Sequence, residues 1–237
     1  VIGLDLTTFP QVLLSRPLVV ATGAGLLLGD VSAAAQIGIL LELFALDVLP
    51  VGASKYPDYG PATIGAVALL SQRPSAVYAW LGLAAAYGLV GAAIGGMSLR
   101  LMRLVNTRAA RRASAGLAAG DQRLVRRLQW RGIVTDVARG AILTALLVAG
   151  AVVLAISVPA SLDLAPASAV AVGAGLAAAA GGAYHSAGRG QRPRWLIVGL
   201  GVGLTLDIAS GRIIGPGGVA GAAAGAVVGV VVRRFEL

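Results

Sequence analysis

The sequence predicts an all-α integral membrane protein, a polytopic helical bundle with re-entrant or discontinuous helices in its N-terminal half. Of the 237 residues, 57% are hydrophobic and only 12% are charged, whereas about a quarter of the residues in a soluble domain are charged. Apolar runs of about 20 residues recur, the length that an α-helix needs to cross about 30 Å of hydrocarbon. Glycine and proline interrupt the earlier runs. We expect one membrane-embedded domain over residues 1–237.

The region 1–99 contains the interrupted runs and is predicted to hold the substrate. The stretch "PLVVATGAGLLLGD" from Pro17 to Asp30 is too short to span a bilayer, and "PATIGAVALLS" is shorter still. Only Val77 to Leu99 forms a full span. Non-helical backbone is tolerated at membrane depth where it is buried in protein or lines a wet cavity. Transporters build substrate sites from such broken helices.

Basic residues separate this region from the rest of the chain. Nine of the 19 basic residues fall within residues 100–131. Their position between hydrophobic segments is typical of a cytoplasmic loop, so the net charge of +9 does not indicate nucleic-acid binding. Leu124, Leu128 and Trp130 among the arginines favour an amphipathic helix on the membrane surface, with a solvated basic loop as the alternative.

The region 132–237 is predicted to contain the remaining helices. Ile133 to Ser157 is long enough to span, and the loop "VPASLDLAPAS" has one acidic and no basic residue, which favours the outside. The chain then returns and crosses twice more, and Arg233 and Arg234 hold its end inside. The protein is therefore expected in the inner (cytoplasmic) membrane as a multi-pass protein in contact with lipid.

Glycine spacing predicts where helices pack closely. Gly91 and Gly95 are four residues apart, and a longer series repeats every fourth residue: Gly217, Gly221, Gly225 and Gly229. Small residues at this spacing allow two helix backbones to approach, within the chain or in an oligomer.

Ionisable residues in membrane segments are costly and mark candidate sites. Glu42 has apolar residues on both sides, and its carboxylate can accept hydrogen bonds from two sugar hydroxyls; the alternative is a structural ion pair with Arg16 or Lys55. Asp58 either binds a hydroxyl or caps the next short helix. Asp30 is interfacial or an N-cap, with a structural role favoured.

Other polar residues offer weaker candidates. Asp136 and Arg139 are three residues apart on one helical face and are predicted to pair. His185 is the only histidine, and its position beside a basic loop favours an interfacial rather than a catalytic role. The chain has no cysteine and carries no metal-binding, phosphate-loop or nucleophile motif. We therefore expect no catalytic residue, metal or cofactor on this chain.

Residues 15–66 carry a family resemblance in five motifs. They occur in the order Arg16-Pro17-Leu18, Leu28-Gly29-Asp30, Leu41-Glu42, Gly52-Ala53 and Pro57-Asp58. This order and spacing resemble the IIC subunit of the mannose-family (mannose/fructose/sorbose) sugar phosphotransferase system. A weaker resemblance continues through "TDVARGAI", where the family also has an arginine. Lys55-Tyr56 departs from the small apolar residues usual there.

The resemblance implies a sugar permease subunit that binds a hexose and passes it inward. It implies a IID membrane partner and soluble IIB and IIA subunits that carry the phosphoryl group. Glu42 and Asp58 would then be the principal sugar-binding residues, with Gly52, Ala53 and Asp30 as further candidates. A divergent, uncoupled transporter and a purely structural subunit of a transport complex remain the alternatives.

Overall fold

The computed structural model describes residues 14–46, 56–159 and 162–186. These residues form helices joined by short turns, without a β-strand in the described ranges, which confirms the predicted all-α fold. The elements are α1 (Pro17–Leu28), α2 (Val31–Ala45), α3 (Tyr59–Ser71), a 3₁₀ turn (Pro74–Ala76), α4 (Val77–Arg112), α5 (Ser114–Ala118), α6 (Gln122–Ser157) and α7 (Ala165–Ser186).

Helices α1 and α2 form a tight hairpin. Gly29 ends α1 with a left-handed φ of 84°, and Asp30 begins α2, where its Oδ1 accepts the N–H of Ala33 at 2.9 Å. The structure therefore confirms Asp30 as an N-cap. With 12 and 15 residues, the two helices are about 18 and 22 Å long, too short to cross the hydrocarbon core. Their re-entrant placement in a bilayer stays a prediction.

Small residues bring the two helices of this hairpin into contact. A Cβ added to Gly25 would lie 2.6 Å from the Cβ of Ala34, and one added to Gly38 would lie 2.6 Å from the Cβ of Ala21. Backbone and methyl groups of the facing helix occupy the space beside both glycines, so the helices pack without bulky side chains between them. This is the close approach that small residues permit where lipid supplies no hydrophobic drive to association.

Helix α3 is the central element of the core. Nearly all of its residues are buried, and it packs against α1, α2, α4 and α6. A helix that is apolar all round requires such an enclosed position. The short, proline-containing stretch Tyr59–Ser71 is therefore stabilised by its neighbours rather than by a lipid-spanning length.

Helices α4 and α6 are long and run beside α3. Each has 36 residues and is about 54 Å long, so its arginine-rich end projects beyond its apolar part. Residues 100–131 are thus mainly extensions of α4 and α6, connected by α5 and the left-handed Gly120. This differs from the predicted separate surface helix or solvated loop. Alanine, leucine and arginine are strong helix formers, so both helices continue past the apolar stretch.

Helix α7 packs on α4 through one buried hydroxyl. Ser168 Oγ accepts the N–H of Gly82 at 2.8 Å and donates to the carbonyl of Ala79 at 2.9 Å. A Cβ on Gly82 would lie 2.5 Å from the backbone of Ala167, so this crossing requires glycine. The predicted contact at the second glycine series, Gly217 to Gly229, lies outside the described residues.

Candidate functional site

The segment before α3 runs along α4 in a non-helical conformation. Asp58 N–H donates to the carbonyl of Ala92 at 2.9 Å. Glycines on α4 make room for this segment: a Cβ on Gly96 would lie 2.5 Å from the carbonyl oxygen of Tyr56, and one on Gly95 would lie 2.8 Å from the Cβ of Asp58. The backbone of residues 56–58 is thereby buried against protein, as irregular backbone beside a membrane core must be.

A charged cluster lies where this segment meets α4 and α6. Arg139 Nη2 is 2.9 Å from Asp58 Oδ2, and Arg139 Nε donates to Asp136 Oδ1 at 3.1 Å. Its Nη1 donates to Ser98 Oγ at 3.0 Å. The side chains of Asp58, Asp136 and Arg139 are only 1%, 3% and 11% exposed. We call these three residues the buried charge cluster.

The buried charge cluster has two carboxylates and one guanidinium, so it carries an excess of one negative charge when all three are ionised. Asp58 Oδ1 and Asp136 Oδ2 are buried and receive no aligned hydrogen bond from the described residues, although the Gly60 N–H in the first turn of α3 lies close to the Asp58 carboxylate. The Asp58 Oδ2–Arg139 Nη2 contact is a short ion pair. Buried acceptors without donors are unfavourable, so these oxygens are suited to accept hydrogen bonds from a ligand.

Glu42 belongs to a second ion-pair group at the open end of the α1–α2 hairpin. Its Oε1 is 3.2 Å from Arg16 Nη1, and its Oε2 accepts the N–H of Leu18 at 3.2 Å. The first N–H groups of a helix lack intrahelical partners, so Glu42 satisfies one of them for α1. The Arg16 pair is the structural alternative considered from the sequence, and 21% of the Glu42 side chain remains exposed.

Of the three predicted sugar-site residues that the structure describes, Asp30 lies apart from Glu42 and Asp58. Asp30 lies at the exposed tip of the hairpin, twelve residues and about 18 Å along α2 from Glu42. Asp58 lies near the C-terminal end of α2, because its neighbour Tyr59 shares an apolar cluster with Ala45. Gly52 and Ala53 lie outside the described residues.

The sequence predicted only one of the two ion pairs in the buried charge cluster. The predicted Asp136–Arg139 pair is confirmed, because it depends only on helical spacing. The pairing of Arg139 with Asp58 was missed. Asp58 itself was the available signal, since a carboxylate beside apolar segments requires a partner and the sequence analysis gave it no cation.

Tyr56 also acquires a role that the sequence did not indicate. Its hydroxyl accepts a hydrogen bond from Arg103 Nη2, and the guanidinium carbon lies 4.9 Å from the ring centroid. The arginine-rich end of α4 is thereby attached to the segment that leads to Asp58.

No group of three or more metal-ligating side chains is found in the described part of the chain. The histidine His185 lies in the last turn of α7.

Comparison with known proteins identifies the family. A family model described as the PTS (phosphotransferase) system sorbose-specific IIC component matches residues 1–185. The chain belongs to this family. No curated protein sequence matches the chain. The family match confirms the resemblance to the mannose-family IIC subunit that the motifs in residues 15–66 suggested.

Membership in the IIC family fixes the general role of the chain. A PTS IIC chain is the membrane component of a sugar-specific transporter and works with other PTS subunits. Within the part of this IIC chain that the structure describes, two helical stretches are long and apolar enough to cross a bilayer, Pro74–Arg112 and Gln122–Ser157. Helix α3 packs against both of these stretches and α2 against the first, whereas α1 packs on α2 and α3.

Proposed function

We propose that this IIC chain binds a hexose within the membrane and passes it inward, where soluble PTS subunits phosphorylate it. The observation that carries the proposal is the buried charge cluster, with two carboxylate oxygens that receive no aligned hydrogen bond from the described residues. A hexose presents several hydroxyl donors, and hydrogen bonds to charged acceptors are the stronger ones. The cluster adjoins the irregular segment 56–58, the kind of backbone from which transporter sites are built.

Asp58 is the first sugar-binding residue that we assign. Its Oδ1 receives no aligned hydrogen bond and can accept a hydroxyl while Oδ2 stays paired with Arg139. Because the Asp58 side chain is only 1% exposed, a sugar reaches it when the contacts between segment 56–58 and α4 open. Such an opening is what an inward- or outward-facing state of a transporter provides.

Glu42 is the second sugar-binding residue that we assign. A hydroxyl that binds its Oε2 replaces the Leu18 N–H, whereas the Arg16 pair on Oε1 persists. Gly52 and Ala53 are proposed to complete the site on the basis of the family motif. We leave Asp30 with its capping role, because its carboxylate is occupied at the hairpin tip.

Hexose binding by carboxylate variants tests these assignments. Glu42→Gln and Asp58→Asn preserve shape and remove charge, so each should weaken hexose binding about tenfold through loss of charge-assisted hydrogen bonds. Asp30→Asn is the matched control, because asparagine caps a helix as well as aspartate. Affinity is measured by calorimetry on the complex purified with its membrane partner. Unchanged affinity in a well-folded Glu42→Gln or Asp58→Asn protein would make that residue structural.

We further propose a IID chain as the membrane partner in a hetero-oligomer in the cytoplasmic membrane, with IIB docking at the arginine-rich ends of α4 and α6. A basic surface attracts an acidic partner and accelerates its approach. Membranes containing this chain and IID should phosphorylate a hexose only when phosphorylated IIB is added, and the rate should fall as salt screens the docking charges. Transport of unmodified sugar without IIB would indicate an uncoupled transporter, and the absence of hexose binding would indicate a structural subunit.

A further inference from the structure

A cleft of about 430 Å³ lies between the arginine-rich ends of α4 and α6. Its polar lining consists of Arg103, Asn106, Gln129, Arg131 and Asp136. Glu42, Asp58 and Arg139 are not among the lining residues of the cleft, whereas Asp136 of the buried charge cluster is. Its volume is within the range of small-molecule sites in proteins.

Arg103 is held in a fixed position on one wall of the cleft. It donates to the hydroxyl of Tyr56 and lies over the ring of the same residue. A guanidinium has five N–H donors, so the contact with one hydroxyl leaves further donors available. Arg131 extends from α6 on the opposite wall and is exposed. Two guanidinium groups on facing helices form a suitable receptor for a phosphate group.

Asp136 supplies a different chemistry in the lining of the cleft. Its Oδ1 is occupied by Arg139 Nε, whereas its Oδ2 has no donor among the described residues and its side chain is 3% exposed. A carboxylate oxygen repels a phosphate group, whereas it accepts a hydrogen bond from a hydroxyl group. Because Oδ2 is itself closed off from solvent, a hydroxyl reaches it only when the lining of the cleft moves. The cleft then combines a phosphate-binding end with a hydroxyl-accepting end, and its lining also contains the amides of Asn106 and Gln129.

We propose that this cleft binds the phosphate ester of a polyol. Arg103 and Arg131 contact the phosphate, and Asp136 Oδ2 accepts a hydroxyl of the ester group. Inorganic phosphate satisfies only the first half of this site, and a neutral sugar satisfies only the second half.

Two sources can present this chemistry. One is the glycerol headgroup of phosphatidylglycerol, because the cleft lies where both helices change from apolar to arginine-rich sequence, the level at which basic pockets between spans meet anionic headgroups. The other is a soluble hexose phosphate, and this second source rests on the proposed function, since it is the product of coupled transport.

Ligand-dependent thermal stability of the purified full chain separates the sources. A ligand that binds the folded state and not the unfolded state raises Tm, and the rise grows with the logarithm of the ratio of free ligand concentration to Kd once that ratio is large. The probes are short-chain phosphatidylglycerol, short-chain phosphatidylcholine, mannose-6-phosphate, mannose and inorganic phosphate. Arg103→Gln and Arg131→Gln remove the phosphate contacts, and Arg131 is exposed, so its variant keeps the fold. Arg108→Gln and Arg126→Gln are the matched controls, since both arginines are exposed on the same helix ends and lie outside the cleft.

The expected result is stabilisation by one of the two polyol phosphates. Arg103→Gln and Arg131→Gln should each weaken its binding about tenfold, whereas the control variants should not. Asp136→Asn should weaken the polyol phosphate and leave inorganic phosphate unaffected. Stabilisation by phosphatidylglycerol alone identifies a lipid site, and stabilisation by mannose-6-phosphate identifies a product site.

Two results would overturn the proposal. One is the absence of stabilisation by both polyol phosphates. The other is an equal loss in all four arginine variants, which would show diffuse attraction rather than a site. Hexose affinity, measured separately with Glu42→Gln and Asp58→Asn, distinguishes a failure here from a failure of the transport assignment.

Discussion

Two ion-pair groups in this molecule hold carboxylates in very different surroundings. The Arg16–Glu42 pair joins two short helices at the open end of a hairpin, and its side chains are 38% and 21% exposed. The buried charge cluster joins segment 56–58 to α6, with Ser98 of α4 bonded to its arginine, and its carboxylates are 1% and 3% exposed. In the first group every charge has a partner, whereas in the second one arginine serves two aspartates. Stability therefore depends far more on the cluster, and the exposed pair can rearrange at little cost.

The largest expected effect is from Arg139→Gln. This change leaves two buried carboxylates without a cation, and breaking a buried ion pair in this way typically costs about 3–5 kcal/mol. We expect a large fall in the Tm of the detergent-purified protein. The triple variant Asp58→Asn, Asp136→Asn and Arg139→Gln should recover much of the loss, since no uncompensated charge remains. An equal Tm for the single and triple variants would mean that packing rather than charge explains the effect.

An intermediate effect is expected at the contact that positions Asp58. In Gly96→Ala the new methyl group would lie 2.5 Å from the Tyr56 carbonyl oxygen and 3.3 Å from the Pro57 Cα. Backbone atoms cannot rotate away, so we expect destabilisation of about 1–3 kcal/mol from overpacking. Gly132→Ala on α6 is the control: it meets no atom within 4 Å and should stabilise its helix by up to about 1 kcal/mol. Thermal unfolding of both variants checks the sign of each change.

The smallest effect is expected from Arg16→Gln. Exposed ion pairs contribute at most about 1 kcal/mol, and the Leu18 N–H still has Glu42 as its acceptor. The Tm should therefore change little, and far less than in Arg139→Gln. A fall in Tm as large as that of the Arg139 variant would show that the hairpin end, and not the cluster, controls stability.

The predicted site could be read from the sequence only in part. Glu42 and Asp58 are recognisable in the sequence as charges in apolar surroundings. The Gly91–Gly95 spacing correctly indicated a close contact, since both glycines face α6 residues. The choice between a ligand role and a structural role depends on which groups face each carboxylate. For Glu42 these are Arg16 and the Leu18 N–H of α1, which no local pattern around residue 42 specifies.

The sequence by itself determined the helical membrane character, the short helices around Gly29 and Asp30, the N-cap of α2 and the Asp136–Arg139 pair. All of these follow from hydropathy, backbone freedom and helical spacing, which act over a few residues. Only the tertiary structure decided that Arg139 also pairs with Asp58, that Gly96 accommodates residue 56, and that residues 100–131 extend two helices to enclose a cleft. Contacts between distant segments depend on how whole helices pack, because the small residues of α4 meet segment 56–58 where α3 and α6 pack against the same helix.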